Sequence, residues 1–279
     1  MKGETLTMKK KILISVLAII MVVSCVACFA ACNKNDEKII TVGYTIYSPM
    51  NYEEGGELVG FDTDLAKAVF EDLGYKVIFK EINWENKYID LNAGTIDCIW
   101  NGFTSSGVDE DAQGVEHNRR DLVDFSYNYM KNYQAVIVKA SEKDNYTDLA
   151  TSFAGKKGYA EAGSAGEEYA ENAQGAVIQT AATQMSAITQ VKSESADFAV
   201  VDYLLANSII GKGDFSDLAF VPALNSEIEY YGIGFKKGSE LTAKVNAELE
   251  KFAGNGKLAE IAAKYGLDNA VIKDFSSQK

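Results

Sequence analysis

The chain has 279 residues, 47% hydrophobic and 24% charged, ordinary proportions for a globular protein with a real core. That length predicts about two domains. Lys and Arg number 27 against 40 Asp and Glu, a net charge of −13, so the basic footprint that neutralises phosphates is missing and nucleic acid is excluded as a partner. Of the 4 cysteines only Cys98 lies beyond residue 32, so neither a disulfide framework nor a thiolate zinc site is expected, and no metal or cofactor is read from the sequence.

Lys9, Lys10 and Lys11 precede an uncharged run, 12–31, long enough to span a bilayer as a simple anchor. Its end is rich in small residues and cysteine, and the polar stretch 33–38 follows, which is the order of an export signal. A cysteine at that junction resembles the lipobox of bacterial lipoproteins, where the cysteine is lipidated and becomes the mature N-terminus. Val22-Val23-Ser24-Cys25 fits the usual pattern more closely, but cutting there would leave apolar residues on the exported side. Cys32 is therefore the preferred lipidation site and Cys25 the alternative. The reading is a signal peptide over 1–31, a polar tether over 32–38 and a lipid (palmitate) anchor. Met8, directly before the lysines, is an alternative start to Met1. Without residues 1–31 the chain loses Lys2, Lys9, Lys10, Lys11 and Glu4, which takes the net charge from −13 to −16.

From Ile39 onward short β-branched runs alternate with amphipathic helices, the pattern of an α/β fold with mainly parallel strands. Strands are expected over 39–44, 76–79, 96–100 and 135–138. Asp62 is placed to cap a helix with Leu65, Ala68, Val69 and Leu73 facing inward, ending at Gly74. Another helix spans 84–92. A second unit repeats the theme, with strands over 158–160 and 198–201 and helices from Glu167, over 183–191 and over 203–210. After Pro222 come a strand over 231–235 and helices over 241–252 and 258–265. The only long polar insertion is 105–118, read as a solvated loop that holds His117, the chain's single histidine.

Enzyme signatures fail in turn. Gly163-Ser164-Ala165-Gly166 follows Ala162 and so lacks the first glycine of a nucleophile elbow. No phosphate-binding G-x-x-x-x-G-K-[ST] loop exists. Asp109, Asp111, Gln113 and Gly114 imitate the start of a calcium loop, but its twelfth position is Arg120 rather than Glu.

What remains suits a zwitterion. Gly163, Ser164 and Ala165 stand between a strand and a helix, where free N–H groups favour an anion, although Ser164 could simply cap the helix. Arg119 can pair with a carboxylate bidentately, or be an ordinary surface arginine. Asp202 ends an apolar strand, where open α/β sheets place ligand contacts, or caps the next helix. Tyr47 and Trp84 offer aromatic faces near the first helices.

Taken in order, several segments resemble the family 3 extracellular solute-binding proteins, the amino-acid receptors of ABC importers. The most specific is Gly60-Phe61-Asp62-Thr63-Asp64-Leu65-Ala66, similar to the family's G-F-D-x-D-L-A. The stretch from Gly94 through Asn101-Gly102-Phe103-Thr104, then Val123-Asp124-Phe125-Ser126, Ala196–Asp202 and Tyr231–Gly238 add to it. The likeness runs from about Ile39 to Leu267. It implies an α/β, two-lobe, periplasmic-binding-protein-like fold of type II whose lobes are joined by two hinge strands. Lobe 1 would be 39–136 plus 230–279 and lobe 2 137–229, with crossings at 135–138 and near Glu229.

The resemblance also implies roles. Arg119, five residues before the Asp of V-D-F-S, matches the clamp on the ligand's α-carboxylate. Asn101, Gly102 and Thr104 match backbone and hydroxyl contacts, and Gly163, Ser164 and Ala165 the carboxylate-facing loop. Asp202 matches the acceptor of the α-ammonium, while Tyr47 and Trp84 match the aromatic pair around the ligand side chain. The insertion must loop out for Arg119 to reach the cleft. Tyr44 stands where members that bind cationic amino acids often carry an acid, which argues against lysine or arginine. Glu161 takes a position where the family often has Gln or Lys; a rim carboxylate is its plainer reading, attraction of a polar or cationic group the other.

The implied function is non-enzymatic: a lipid-anchored, monomeric receptor at the outer face of the cytoplasmic membrane. It would bind a polar amino acid such as glutamine or cystine and deliver it to the membrane subunits of an ABC permease. The alternatives are a cyclohexadienyl dehydratase-like lyase on the same fold, and a sensing module for a separate signalling partner.

Overall fold

The computed structural model describes residues 37–111 and 114–278; the expected export segment, Cys25 and Cys32 lie outside the described residues. Strand β1 (Lys38–Tyr44) is followed by a hairpin, β2 (Tyr52–Glu54) and β3 (Glu57–Val59), and by the helix Phe61–Asp72. Strand β4 (Tyr75–Glu81) leads through the turn Trp84–Asn86 into the helix Lys87–Ala93 and β5 (Cys98–Ile99). A second hairpin, β6 (Val108–Glu110) and β7 (Glu116–Asn118), precedes the helical turn Arg119–Leu122, β8 (Asp124–Phe125), β9 (Met130–Asn132) and β10 (Gln134–Lys139). Next come β11 (Lys157–Glu161), the helix Ala165–Ala170, β12 (Val177–Ala181), the helix Gln184–Lys192, β13 (Phe198–Asp202), the helix Tyr203–Ile209 and β14 (Leu218–Phe220). The chain closes with β15 (Glu229–Tyr231), β16 (Gly234–Phe235) and the helices Glu240–Asn255 and Lys257–Lys264.

These strands build two five-stranded sheets, ordered β4-β1-β5-β16-β8 and β12-β11-β13-β10-β14. Parallel pairing joins β1 to β5 and β11 to both β12 and β13, while β10 and β16 run antiparallel to their neighbours. The apolar run of β10 is buried on both faces, as expected of a strand covered on both sides. On the first sheet Ile40 and Val42 of β1 pack against Leu65, Val69 and Phe70 of the helix Phe61–Asp72. Cys98 is a fully buried free thiol on β5.

The chain passes between the sheets twice, from β8 through β9 to β10 and back from β14 through β15 to β16. Strands β9 and β15 pair antiparallel, Asn132 opposite Glu229 and Met130 opposite Tyr231. The crossing expected at 135–138 is therefore displaced to 130–132, because β10 lies wholly within the second sheet. The single strand expected over 231–235 is likewise divided: Tyr231 ends the hinge strand and Gly234 begins a strand of the first sheet. Gly232 sits at the break, where a Cβ would come 3.0 Å from the Phe125 ring.

Two further expectations change. The insertion 105–118 is not a solvated loop throughout: β6 and β7 pair within it, Asp109 opposite His117, and Asp109 is buried. His117 Nε2 lies 2.8 Å from Asp111 Oδ2. Asp62 does not cap the first helix, which begins after Gly60 with no side-chain cap. Gly60 has φ +127°, and a Cβ there would lie 2.2 Å from the Met50 carbonyl oxygen, so both its conformation and its surroundings demand glycine. Asp62 instead turns inward and accepts the Gly102 N–H at 2.8 Å.

Candidate ligand-binding cleft

Between the two sheets lies a small cleft cavity of about 20 Å³ lined by Trp84, Asn101, Gly102, Phe103, Thr104, Arg119, Glu161, Ser164, Ala165, Gln184 and Asp202. Every site residue singled out in the sequence is on this wall except Tyr47 and Gly163. Asn101–Thr104 follow β5, Glu161 and Asp202 end β11 and β13, and Ser164 and Ala165 open a helix, so strand ends and helix starts converge on one space. Trp84 meets Phe103 edge to face at 5.3 Å between ring centres.

Tyr47 lies beneath the wall. Its hydroxyl is 2.7 Å from that of Tyr231, and a Cβ on Gly102 would come 2.5 Å from its ring. Gly102, at φ +59°, can thus press against Tyr47 only as glycine. Asn101 is fixed from behind, its amide donating to the Thr45 carbonyl at 2.8 Å and to Asn51 Oδ1 at 2.7 Å. Gly163 faces away from the cavity: its N–H donates to Glu167 Oε2 at 2.7 Å and its carbonyl accepts from Lys87 Nζ at 2.9 Å. Ser164 caps its helix by accepting the Glu167 N–H at 3.1 Å, so this loop spends part of its anion-binding capacity on its own carboxylate.

Arg119 is almost wholly buried and already partnered. It donates to Asp109 Oδ1 and to the Ser106 carbonyl, each at 3.0 Å, and lies 3.4 Å from Glu168 Oε2. Its Nε, also buried, has no hydrogen-bond partner. The same Asp109 pairs with Lys87 Nζ at 2.9 Å and accepts from the Tyr88 hydroxyl at 2.6 Å. Burial works against the Asp109 carboxylate, but the charges of Lys87 and Arg119 outweigh it and hold its pKa below the usual range. Burial lowers the pKa of Lys87, whose ammonium lies 4.7 Å from the Tyr88 ring centre and 5.2 Å from that of Trp84. Lys87 and Arg119 both reach the second sheet's elements, at Gly163 and Glu168, so they fasten one side of the cleft to the other.

The opposite end is acidic. Asp202 accepts from Asn132 Nδ2 and Gln134 Nε2, each at 2.7 Å, and its N–H donates to Gln184 Oε1 at 2.8 Å. Burial raises its pKa. Glu161 is only 4% exposed, which displaces the rim reading; burial, with the Asp202 charge adding to it, pushes its carboxyl up to about 8. Tyr44 has no place on the wall and packs edge-on against Phe79, so its lack of charge bears little on the ligand.

A pH effect follows with a definite sign. Glu161 at about 8, and Asp62 and Glu229 at about 7, are all raised, chiefly by burial, above the ~4 of an unfolded chain. Their protonation favours the folded state, so that contribution is present in full below pH ~4 and is lost as pH rises through 7 and 8. The unliganded protein is expected to melt about 5 °C or more higher at pH 6 than at pH 9. Scanning calorimetry at the two values checks this, and an equal or lower midpoint at pH 6 counts against buried, uncompensated carboxylates.

Phe103, Gln184, Lys87, Asp109, Asn132, Gln134 and Glu229 were not singled out as site residues in the sequence; Asp109 entered only in the imitation of a calcium loop and Glu229 only as a marker of the return crossing. Phe103 stands within the quoted Asn101–Thr104 stretch and could have been read from it. Gln184, a buried polar residue at a helix start, gave a weaker signal. The others depend on partners far away in the chain.

Residues 40–268 match the family model of bacterial extracellular solute-binding proteins, family 3. The arginine-binding extracellular protein ArtP of Bacillus subtilis (strain 168) is 26% identical over 263 residues, covering 92% of this chain and 98% of that protein. A solved structure of an ancestral arginine-binding protein bound to arginine aligns with a TM-score of 0.72 at 29% identity, over 82% of this chain and 98% of that one. An ABC uptake transporter substrate-binding protein from Streptococcus pneumoniae with bound histidine aligns at 0.69 with 32% identity, over 83% and 94%.

Proposed function

The chain belongs to the bacterial extracellular solute-binding proteins of family 3, and from that membership we propose that it is the receptor of an ABC importer that closes on one amino acid. The observation that carries this reading is the presence of Arg119 and Asp202 on one cavity wall, contributed from the two sides of the cleft. A ligand bridging them stabilises the closed state over the open one, which is all that closure requires. Asp202 receives the α-ammonium; Arg119, through its unpartnered Nε edge, and the Asn101–Thr104 turn receive the α-carboxylate.

The charges favour a cationic side chain over the net-neutral ones of glutamine or cystine. Glu161 and Asp202 line the cavity against one guanidinium that Asp109 and Glu168 already neutralise in part. Glu161 is then the partner of the distal charge. The arginine-binding relatives support that choice, and the binding proteins among the relatives support a non-enzymatic role. Anchoring through a lipidated Cys32, with Cys25 as the alternative, would hold the receptor at the outer face of the membrane beside its permease.

A thermal-shift panel of L-arginine, L-lysine, L-histidine, L-glutamine and L-cystine tests the reading. A ligand at a hundred times its Kd adds about 2.7 kcal/mol, several degrees for a chain of this size. L-arginine or L-lysine is expected to give the largest shift, and no shift with any of the five contradicts the proposal.

A further inference from the structure

We propose that Asp202 and Glu229 act as a coupled pair which holds a proton while the cleft is empty and releases it to solvent as the ligand's ammonium enters. This rests on the receptor reading and deepens it. Asn132 Nδ2 lies 2.7 Å from Asp202 Oδ1 and 2.7 Å from Glu229 Oε1. Gln134 Nε2 lies 2.7 Å and 2.8 Å from the same two oxygens. Two amide nitrogens shared in this way hold the carboxylates within about 5 Å of each other, given hydrogen bonds of this length.

The remaining donors are neutral: Gln184 and the Tyr231 hydroxyl to Asp202, and the Thr104 hydroxyl to Glu229 at 3.0 Å. The titratable groups facing the pair are the hydroxyls of Tyr47 and Tyr231 and the carboxyl of Glu161. The Lys87 charge acts on Glu161. Among the described residues no ion pair reaches either member. Like charges this close, in a buried setting and without a cation, do not both ionise. Burial and the neighbouring carboxylate accordingly raise Glu229 to about 7.

The entering ammonium is the missing cation. One carboxylic O–H bond breaks, its proton passes to water, and an ammonium N–H···O bond takes its place. Glu229 lies behind Thr104 and Asp202 rather than on the cavity wall, so it is a positioning residue that acts through Asp202. It also sits on β15 opposite Asn132 of β9, which puts Glu229 and an amide it shares with Asp202 on the two strands that join the lobes.

Titration calorimetry of the wild-type protein with the tightest binder of the five amino acids, at pH 6.5 in buffers of different ionisation heat, counts the protons released. About half a proton or more per ligand is expected, with Kd weakening about 3- to 10-fold between pH 8 and pH 6. Glu161, raised by burial and facing the distal charge, gives up a proton of its own, so the pair is read in Glu161→Gln. That variant should still release about half a proton per ligand bound, and Glu161→Gln with Glu229→Gln less than half as much, with a flatter pH profile. Should the double variant not fold, the wild-type proton count and Glu161→Gln decide. Buffer-independent heats in the wild type, no release in Glu161→Gln, or a release in Glu161→Gln that Glu229→Gln leaves unchanged would each overturn the inference. Binding of none of the five removes the receptor reading and this inference with it.

Discussion

Asp202→Asn is expected to bind the amino acid about 30-fold to several-thousand-fold more weakly than the wild-type chain. The substitution keeps the volume and the hydrogen-bonding capacity but removes the charge that the α-ammonium needs. Losing one partner of a buried, hydrogen-bonded charge pair costs about 2–5 kcal/mol, mostly because the other charge is left unpaired. In the empty protein the same change removes one of two neighbouring carboxylates, so the fold itself should survive. Calorimetric titration set beside the circular dichroism of the unliganded variant separates the two effects. Wild-type affinity in a folded Asp202→Asn would remove the ammonium assignment.

The second large effect lies in the insertion. A residue on a solvated loop changes stability by roughly 0.5 kcal/mol or less when substituted. Asp109 is instead the shared counter-ion of two buried cations, Lys87 at 2.9 Å and Arg119 at 3.0 Å. Asp109→Asn should therefore destabilise the protein by about 3–5 kcal/mol, the cost of leaving a buried charge uncompensated. Lys87 can lessen its share by losing its proton, as its lowered pKa allows, whereas Arg119 cannot. A fall in the melting midpoint on the order of 10 °C is expected, measurable by urea or thermal unfolding. A midpoint within a degree or two of wild type would return the insertion to the status of a surface loop.

The two predictions mark the boundary of what was legible in the chain. Strand and helix order could be read because apolar runs and helical periodicity are local signals, and β1, β10 and β13 carry them strongly. The return crossing was expected near Glu229, where β15 begins, but the outgoing one could not be placed in the same way. Its strand, Met130-Lys131-Asn132, is short, and the neighbouring apolar run of β10 attracted the crossing instead. Arg119 and Asp202 could be nominated because each keeps a fixed distance from a recognisable motif. Lys87 and Glu229 escaped because their roles arise only from pairing across the fold. Lys87 reaches Gly163, 76 residues away, and Asn132 reaches Glu229, 97 residues away. Asp62 was misread for a related reason: a carboxylate in the first turn of a helix ordinarily serves the helix, and only the packed structure turns it onto Gly102.

The insertion also changes how the charge of the chain is understood. An overall charge of −13 describes an acidic exterior, but the acids that matter most, Asp109, Glu161, Asp202 and Glu229, are withdrawn from it. One of them neutralises the clamp, and the other three face or support the ammonium side. On the proposed reading, that asymmetry favours a ligand with more positive charge than a simple zwitterion.

The central claim is that one amino acid spans Arg119 and Asp202, and a crystal structure of the protein with its tightest-binding amino acid tests it most directly. The account predicts the α-ammonium within about 3.2 Å of the Asp202 carboxylate and the α-carboxylate against Arg119 and the Asn101–Thr104 turn. It also predicts the distal charge beside Glu161. A ligand seated elsewhere, or one whose ammonium and carboxylate both leave Asp202 and Arg119 in their present pairings, would contradict it.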